Sequence, residues 1–440
     1  MSINTKVLSG FMELLPREQR EFDRLKSLIE STYKSFGYHA INTPQIERSD
    51  VLLAKGGQEA DKQMYFVANG LVAKEPNALA LRFDLTVPLA RYVAEHHGQL
   101  SFPQKIYHIG KSHRGERPQK GRFREFYQCD IDIIGKDSLS LNYDAELPVI
   151  VFKVFTAMNI GKFTIRVNNR KLMTGFMSAI GIGNKAADVL RIIDKSMKIT
   201  EESFQKMLDE LNVTKEQSAK ISDLLRISGT TEEILDKLDN FKIEDEQFNI
   251  GLDELKTVTS LMLKMGIDPE YFCIDLSIVR GLDYYTGTVY ETTLDDTPIG
   301  SICGGGRYEN LVSSYSKASL PGVGLSIGLT RLFSALKEHE LLPFDKVKLI
   351  DVLIVPESTT NFETAFNVAN ELRAIGKNID VFLEEISMKK KFQYVSKANA
   401  PATIVVREED GKEVLSYQYE ADGEFIKEIV GIDELIRRMK

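Results

Sequence analysis

Two strand-like segments joined by a strongly basic stretch constrain the fold of this chain most. Residues 104–110 and 124–134 have strand patterns, and the stretch between them, KSHRGERPQKGRFR, carries six basic residues and one acid. Strands this close in sequence pair as an antiparallel hairpin. A basic run on its own is usually a solvated loop, but a long ordered loop often carries function. The sequence therefore predicts an antiparallel sheet with a charged loop at its edge.

The second strand of this hairpin, REFYQCDIDIIG (124–135), has two chemically different faces because side chains alternate along a strand. One face suits a core: Tyr127, Cys129, Ile131 and Ile133. The other carries a ring, an amide and two acids: Phe126, Gln128, Asp130 and Asp132. An exposed polar face is the ordinary interpretation. The same groups would also suit a floor that stacks a planar ring and holds a cationic or polar ligand.

Three arginines lie beside strand ends, glycines or a helix start. Arg114 ends the first hairpin strand, and Arg280 precedes Gly281 in SIVRGLDYYTGTVYE, where the backbone can turn sharply. GVGLSIGLTRL is a glycine-spaced strand that leads into a helix, with Arg331 in the first turn. A guanidinium binds a phosphate through two parallel hydrogen bonds. Adenylate formation requires a carboxylate to attack a phosphate, and fixed positive charge lowers that barrier. The arginines, the Phe126 ring and the acids together favour this chemistry.

The chain of 440 residues is long enough for two or three domains with separate cores. Mixed patterns predict an α+β fold for residues 1–336, with an inserted helical module at about 170–265. A linker is expected at 337–348. Alternating strand and helix patterns in 349–440 predict a small α/β domain.

Composition excludes several classes of protein. The three cysteines form no CxxC pair, so we expect no zinc site, no disulfide framework and a reducing, cytoplasmic setting. No apolar run is long enough for a membrane helix, and the N-terminal segment is too charged for a signal peptide. The net charge of -8 does not indicate a nucleic-acid binder, but binding depends on local potential.

Several segments together resemble the class II aminoacyl-tRNA synthetases. FGYHAINTPQIE, with Pro44, is similar to the first class motif, which builds a homodimer interface. SHRGERPQKGRFREFYQ is similar to the second motif and GVGLSIGLTRL to the third. VRGLDYYTGTVYE and CGGGRY resemble the two signatures of the histidyl-tRNA synthetase family. The resemblance implies an antiparallel-sheet catalytic domain with a helical insertion and a C-terminal α/β anticodon-binding domain.

The resemblance implies that the chain joins L-histidine to tRNA-His through an adenylate, with Mg²⁺ on the ATP phosphates and no metal held by the protein. ATP contacts are implied for Arg114, Glu116, Phe126, Arg280 and Arg331. Arg114 and Arg331 would contact phosphates, Phe126 would stack on adenine, and Glu116 would meet its amino group. Arg280 would act with Arg114 in catalysis, as the cation at the α-phosphate.

Histidine contacts are implied for Asp84, Thr86, Gln128, Asp132, Tyr284, Tyr285, Gly304 and Gly305. Asp84, Thr86 and Gln128 would hold the α-amino group. Asp132 and Tyr285 would bind the two imidazole nitrogens, which an acid and a phenol can satisfy. Many bacterial relatives have Glu where Asp84 and Asp132 stand here. Each carboxylate of this chain therefore extends less far from the backbone than in those relatives.

Two groups of residues are candidates for RNA contact. The RPQKGR loop is of the bacterial type, and Arg117, Gln119 and Arg124 are candidates for reading the acceptor end of tRNA-His. In the C-terminal domain, basic residues alternate with aromatic ones at Lys389, Lys390, Lys391, Phe392 and Tyr394. That mixture suits phosphate contact and base stacking, although a solvated helix face is an equal alternative.

Four alternatives are weaker. A non-catalytic paralogue that senses histidine or tRNA as a regulatory subunit usually has eroded histidine signatures, and both are intact here. HIGK and SMKKK only superficially resemble class I signatures. GVGLSIG has the wrong spacing for a dinucleotide-binding loop. A simple RNA-binding module would explain the basic loop but leave the arginines and tyrosines unexplained.

Overall fold

A computed structural model describes residues 3–54, 63–68, 78–117, 119–196, 199–279, 284–309, 311–421 and 424–440. The chain divides into two compact units. The first comprises Met1–Glu13 and Arg24–Leu341, and the second comprises Leu14–Asp23 and Leu342–Lys440.

The strands before residue 342 are β1 (His39–Ala40), β2 (Ile46–Arg48), β3 (Leu79–Leu81), β4 (Gln104–His113), β5 (Glu125–Ile134), β6 (Phe163–Asn169), β7 (Phe272–Ile274), β8 (Thr288–Leu294), β9 (Ser301–Tyr308) and β10 (Gly322–Ile327). In the described residues, eight of them form one sheet in the order β1-β4-β5-β10-β9-β8-β6-β7, and β2 pairs with β3. The central pairs are antiparallel, whereas β1 and β7 join the edges in parallel. This architecture confirms the predicted mixed fold.

The predicted hairpin is β4 and β5, whose register runs from Gln104 opposite Ile134 to His113 opposite Glu125. Cys129, Ile131 and Ile133 are fully buried on the core side of β5, as the alternation predicts. Strand β4 is longer than the predicted 104–110, because it continues through Lys111–His113, whereas β5 keeps within its predicted bounds.

The helices before residue 342 are α1 (Pro16–Ser35), α2 (Ser49–Leu53), α3 (Thr86–His96), α4 (Asn142–Met158), α5 (Arg170–Ala179), α6 (Ala186–Ile193), α7 (Glu201–Glu210), α8 (Lys215–Leu225), α9 (Thr231–Asn240), α10 (Glu246–Lys264) and α11 (Leu329–Glu338). Helices α5 to α10 lie in sequence between β6 and β7. All of these except α6 begin with a side-chain cap, for example Thr200, Thr214 and Thr230, each of which accepts a backbone N–H in the first turn. None of the described helices is both long and apolar enough to cross a membrane.

The second unit has a sheet of β11 (Val352–Pro356), β12 (Ile379–Val381), β13 (Ala402–Glu409), β14 (Lys412–Ala421) and β15 (Glu424–Val430). Its order is β12-β11-β13-β14-β15, parallel in the first part and antiparallel in the second. Its helices are α12 (Phe362–Ala374), α13 (Met388–Ala398) and α14 (Ile432–Met439).

Two sequence expectations for this unit are corrected. The alternation of strand and helix omits the β14–β15 ribbon. Asp410 and Gly411 both have positive φ, 50° and 71°, as a tight hairpin turn between β13 and β14 requires. Lys391 is also misplaced among the RNA-contact candidates, because it is buried and its ammonium donates to the carbonyls of Pro356 and Glu357. Lys389, Lys390, Phe392 and Tyr394 are exposed.

Candidate active site

A cavity of about 450 Å³ lies over the polar face of β5. Eleven of the residues expected from sequence line it: Asp84, Thr86, Arg114, Glu116, Phe126, Gln128, Asp132, Tyr284, Tyr285, Gly304 and Arg331. They come from separate segments of the chain, and the antiparallel register of β5, β10 and β9 brings them to one side of the sheet. The cavity has the size of a small-molecule site.

Asp132 lies at the buried end of the cavity floor. Its Oδ1 accepts a hydrogen bond of 2.9 Å from the hydroxyl of Tyr308. Burial raises the pKa of Asp132 to about 7, the Tyr308 hydrogen bond lowers it, and the nearby Asp84 raises it further. A carboxyl group poised in this way can accept an N–H from a small heterocyclic ring when it is ionised.

Glycine 324, directly opposite Asp132 on β10, makes room for that carboxyl group. A Cβ at this position would overlap Asp132 Oδ1 and crowd the carbonyl of Ile131. Gly322 has the same relation to the ring of Tyr308. The two glycines thus admit the Asp132–Tyr308 pair.

Asp130 is held by a chain of hydrogen bonds that runs from Gln128 through Ser326. Ser326 donates its hydroxyl proton to Asp130 Oδ1, and Gln128 Nε2 donates to Ser326 Oγ at 2.9 Å. Burial and the neighbouring Asp132 raise the pKa of Asp130 well above its ordinary value. The Gln128 amide is thereby fixed on the floor of the cavity.

Asp84 forms part of the wall where α3 begins. Its Oδ1 accepts the backbone N–H of Val87 at 3.0 Å, which fixes the carboxylate at the helix N-terminus. Burial raises the pKa of Asp84, and the Val87 hydrogen bond and the charges of Arg114 and Arg82 oppose that rise. Such a carboxylate suits an ammonium ligand.

Arg114, Phe126 and Glu116 form the other part of the cavity. The Arg114 guanidinium lies 5.0 Å from the centre of the Phe126 ring, and its Nε donates to the carbonyl of Phe83 at 3.0 Å. Oε1 of Glu116 is 3.9 Å from Nη1 of Arg114, and Oε2 of Glu116 is 3.2 Å from Nη1 of Arg122. A cation, a ring face and a carboxylate side by side can bind a phosphate attached to an aromatic base.

Arg331, in the first turn of α11, contacts two segments that line the cavity. Its Nε donates to the carbonyl of Gly121 and its Nη1 to the carbonyl of Ser301, both at 2.8 Å. Gly121 has φ 70°, so the basic loop turns there without strain. Arg331 therefore ties the loop after β4 to the start of β9.

Among the described residues, the other site residues expected from sequence do not line the cavity. Gly305 does not line the cavity, because alternation along β9 turns it away from the face of Gly304, opposite Leu325 and Tyr290. Arg124 is half-buried and bonded to the carbonyls of Glu116 and Ser9, whereas Arg117 and Gln119 are exposed. Arg280 lies outside the described residues.

Sequence reasoning missed three residues that build the floor: Tyr308, Ser326 and Gly324. Tyr308 is the last residue of the CGGGRY segment, and Ser326 and Gly324 alternate in the glycine-spaced strand. A period of two along β9 and β10 could have indicated them, but only the register of the sheet shows which carboxylate each one meets.

Comparison with known proteins gives consistent matches. The family model described as Histidyl-tRNA synthetase matches residues 10–332. A Histidine--tRNA ligase of Clostridium tetani is 45% identical over 93% of this chain and 92% of its own, and one of Finegoldia magna is 40% identical over the full length of both. The crystal structure of histidyl-tRNA synthetase from Nostoc sp. PCC 7120 aligns with a TM-score of 0.88 at 39% identity, covering 99% of this chain and 100% of that one.

Proposed function

The chain belongs to the histidyl-tRNA synthetase family, and from that premise we propose that it ligates L-histidine to tRNA-His in two steps through histidyl-adenylate. The observation that carries the proposal is the Asp132 carboxyl group, fixed by Tyr308 at one end of a cavity whose other end presents Arg114 over Phe126. One end suits an imidazole and the other suits ATP.

In the proposed first step, the histidine carboxylate attacks the α-phosphate of ATP, which enters with its Mg²⁺, and pyrophosphate leaves. Asp84, with Thr86 and Gln128, holds the α-ammonium group, and Asp132 and Tyr285 bind the imidazole. Arg114 neutralises charge at the reacting phosphate, Arg331 binds the departing phosphates, and Phe126 stacks on adenine. Holding both anions in line supplies much of the remaining acceleration.

Arg280 is proposed as the cation at the α-phosphate, with Arg114. The proposal rests on its place in VRGLDYYTG, four residues before the first of the two tyrosines that line the cavity. Replacement of Arg280 by Ala should abolish adenylate formation while histidine still binds. Near-normal exchange by that variant would refute this role.

In the proposed second step, the 3′-terminal ribose of tRNA-His attacks the adenylate, so that AMP leaves. Arg117, Gln119 and Arg124 in the basic loop, and Lys389, Lys390, Phe392 and Tyr394 on α13, are the residues we propose for RNA contact. We also propose a cytoplasmic homodimer that pairs through the region of Pro44.

The test is ATP–pyrophosphate exchange measured with each standard amino acid in turn, followed by charging of tRNA-His. Exchange with histidine alone is expected, because a buried site that pairs both imidazole nitrogens leaves its polar groups unpaired with other side chains. Absence of exchange by folded protein that binds tRNA would favour the regulatory paralogue.

A further inference from the structure

Arg82 is a fully buried arginine that the proposed reaction does not use. Only 1% of its surface is exposed. Its Nε donates to the carbonyl of Lys111 at 2.8 Å, and its Nη1 donates to the carbonyl of Thr43 at 2.6 Å and to the Thr43 hydroxyl at 3.2 Å. These hydrogen bonds go to neutral oxygens, which satisfy the donors without cancelling the charge. A buried cation of this kind is costly unless negative charge lies nearby.

The sheet register places this charge on the cavity side. A Cβ on Gly110 would overlap the Arg82 guanidinium, so the guanidinium occupies the space that a side chain at position 110 would fill. Gly110 lies opposite Gln128 on β5, and directly opposite residues in an antiparallel pair share a face. The guanidinium therefore lies over the same face as Gln128 and Asp130.

Three buried carboxyl groups line the cavity: Asp84, Asp130 and Asp132. Of these, Asp130 and Asp84 interact with the charge of Arg82. The charged and titratable groups that act on Asp84 are the cations Arg114 and Arg82, the carboxyl groups Asp130 and Asp132, and the phenol of Tyr315. Burial raises the pKa of Asp84, and Arg82 is one of the two arginines that lower it. Unlike Arg114, Arg82 does not line the cavity.

The neighbouring His108 does not supply a second charge. Its Nε2 is 3.4 Å from Arg82 Nη1, and burial together with Arg82 lowers the pKa of His108 to about 3. The ring is therefore neutral at the pH of catalysis. Arg82 is the permanent charge in this pair.

We propose that Arg82 is a positioning residue, a buried counter-charge that keeps the Asp84 carboxylate ionised to bind the α-ammonium group of the amino acid. It acts through Asp84 and does not touch the substrate. Its hydrogen bonds to Thr43 and Lys111 hold the charge in place between two chain segments. This inference rests on the proposed function, in which Asp84 receives that ammonium group.

The test separates ammonium binding from every other part of recognition. Histamine and 4-ethylimidazole differ only in the ammonium group. The inhibition constant of 4-ethylimidazole divided by that of histamine, both measured against histidine-dependent exchange, therefore reports the binding of the ammonium group alone. Arg82→Gln keeps hydrogen-bond donors but removes the charge. In this variant the preference for histamine should fall about tenfold at pH 6 and recover towards pH 8.5, because loss of the Arg82 charge raises the pKa of Asp84 further. Arg82→Lys, which keeps the charge, should retain the wild-type ratio at both pH values.

Arg91→Met is the matched control, since it removes one positive charge from α3, where Arg91 pairs with Glu47 and Glu95 outside the cavity. It should leave the ratio unchanged. If Arg82 is only structural, both inhibitors will weaken equally in Arg82→Gln, and the unchanged ratio overturns the inference. If that variant does not fold, Gly110→Ala, which displaces the guanidinium, must lower the ratio or the inference is rejected. A wild-type protein without histidine-dependent exchange would instead reject the proposed function.

Discussion

The hydroxyl of Tyr308 donates a 2.9 Å hydrogen bond to Oδ1 of Asp132 across the width of β10. Both side chains are buried, and they meet because Gly322 and Gly324, between them in the sheet, have no side chains. The bond occupies one oxygen of the carboxyl group and leaves the other for a ligand. Tyr308 thereby orients the group that we propose as the imidazole acceptor.

Tyr308→Phe should impair histidine recognition with little effect on ATP. The substitution keeps the ring but removes the hydrogen bond that lowers the pKa of Asp132, so this pKa should rise above 7. The KM for histidine should increase roughly tenfold at pH 7, where one lost hydrogen bond to a charged group is worth about 1.5 kcal/mol or more. The defect should shrink at pH 8.5, because Asp132 ionises again.

The measurement is the KM for histidine and for ATP in pyrophosphate exchange between pH 6 and 9. Tyr33→Phe is the control, since Tyr33 is equally buried but donates to the backbone carbonyl of Cys129. A KM for histidine that stays at the wild-type value at every pH would contradict the role given to Tyr308.

Gly324→Ala should abolish histidine activation although it adds a single methyl group. That methyl group would overlap Asp132 Oδ1 and displace the carboxyl group from Tyr308. We expect at least a 100-fold loss in kcat/KM for histidine, since a misplaced contact of this kind costs about 2.7 kcal/mol or more. Gly328→Ala is the control, because the nearest atoms to its added Cβ are 3.6 and 3.8 Å away. Equal activity of the two variants would exclude the steric role of Gly324.

Local patterns in the sequence predict the hairpin β4–β5 and the division of β5 into a core face and a polar face. They do so because strand alternation depends only on neighbouring residues. The partners of the polar face could not be predicted in this way. Ser326 and Tyr308 meet Asp130 and Asp132 from about 175 to 195 residues away in sequence, through a register that one chain does not reveal.

Other differences have local causes. The Asp410–Gly411 pair is a sequence signal for the β13–β14 hairpin turn, which the alternation of strand and helix patterns does not include. Lys391 belongs to a run of three lysines in sequence, but the helical period turns it inward while Lys389 and Lys390 stay exposed. The roles of the cavity residues, and of Arg280 above all, remain predictions.

Asp132→Asn should stabilise the protein by an amount that grows as the pH rises from about 3.8 to about 7 and is constant above that range. The pKa of Asp132 is about 7 in the folded chain and ordinarily 3.8, so between these values the folded state holds the proton more tightly than the unfolded state. Stability from this group is therefore present at low pH and lost as pH rises towards 7. The difference above pH 7 should be on the order of a few kcal/mol. Melting temperatures of both proteins from pH 5 to 8.5 provide the measurement, and parallel pH curves would contradict the expectation.

Arg307→Met should destabilise the first unit strongly. Arg307 and Asp144 form a buried ion pair, with Nε 3.1 Å from both carboxylate oxygens and exposed side-chain fractions of 6% and 0%. Removal of one partner leaves a buried charge, which costs about 3 to 5 kcal/mol. The double variant Arg307→Met with Asp144→Leu should recover most of that loss. Denaturant unfolding of the two single variants and the double variant gives the coupling, and strictly additive effects would rule out a strong pair.

Gln119→Ala should lower tRNA charging far more than adenylate formation. Gln119 is exposed in the basic loop and does not line the cavity, so its amide is free to meet a macromolecule that approaches the loop. Arg331 holds Gly121, two residues further along, and so fixes the loop beside the predicted phosphate site. Loss of an amide contact to a base should reduce kcat/KM for tRNA-His about tenfold, since such contacts are worth roughly 1 to 3 kcal/mol. Lys120→Ala is the control, because Lys120 forms an ion pair with Glu338, and it should reduce charging less. Equal losses in exchange and charging by Gln119→Ala would mean that the loop serves the adenylate site and not the acceptor end.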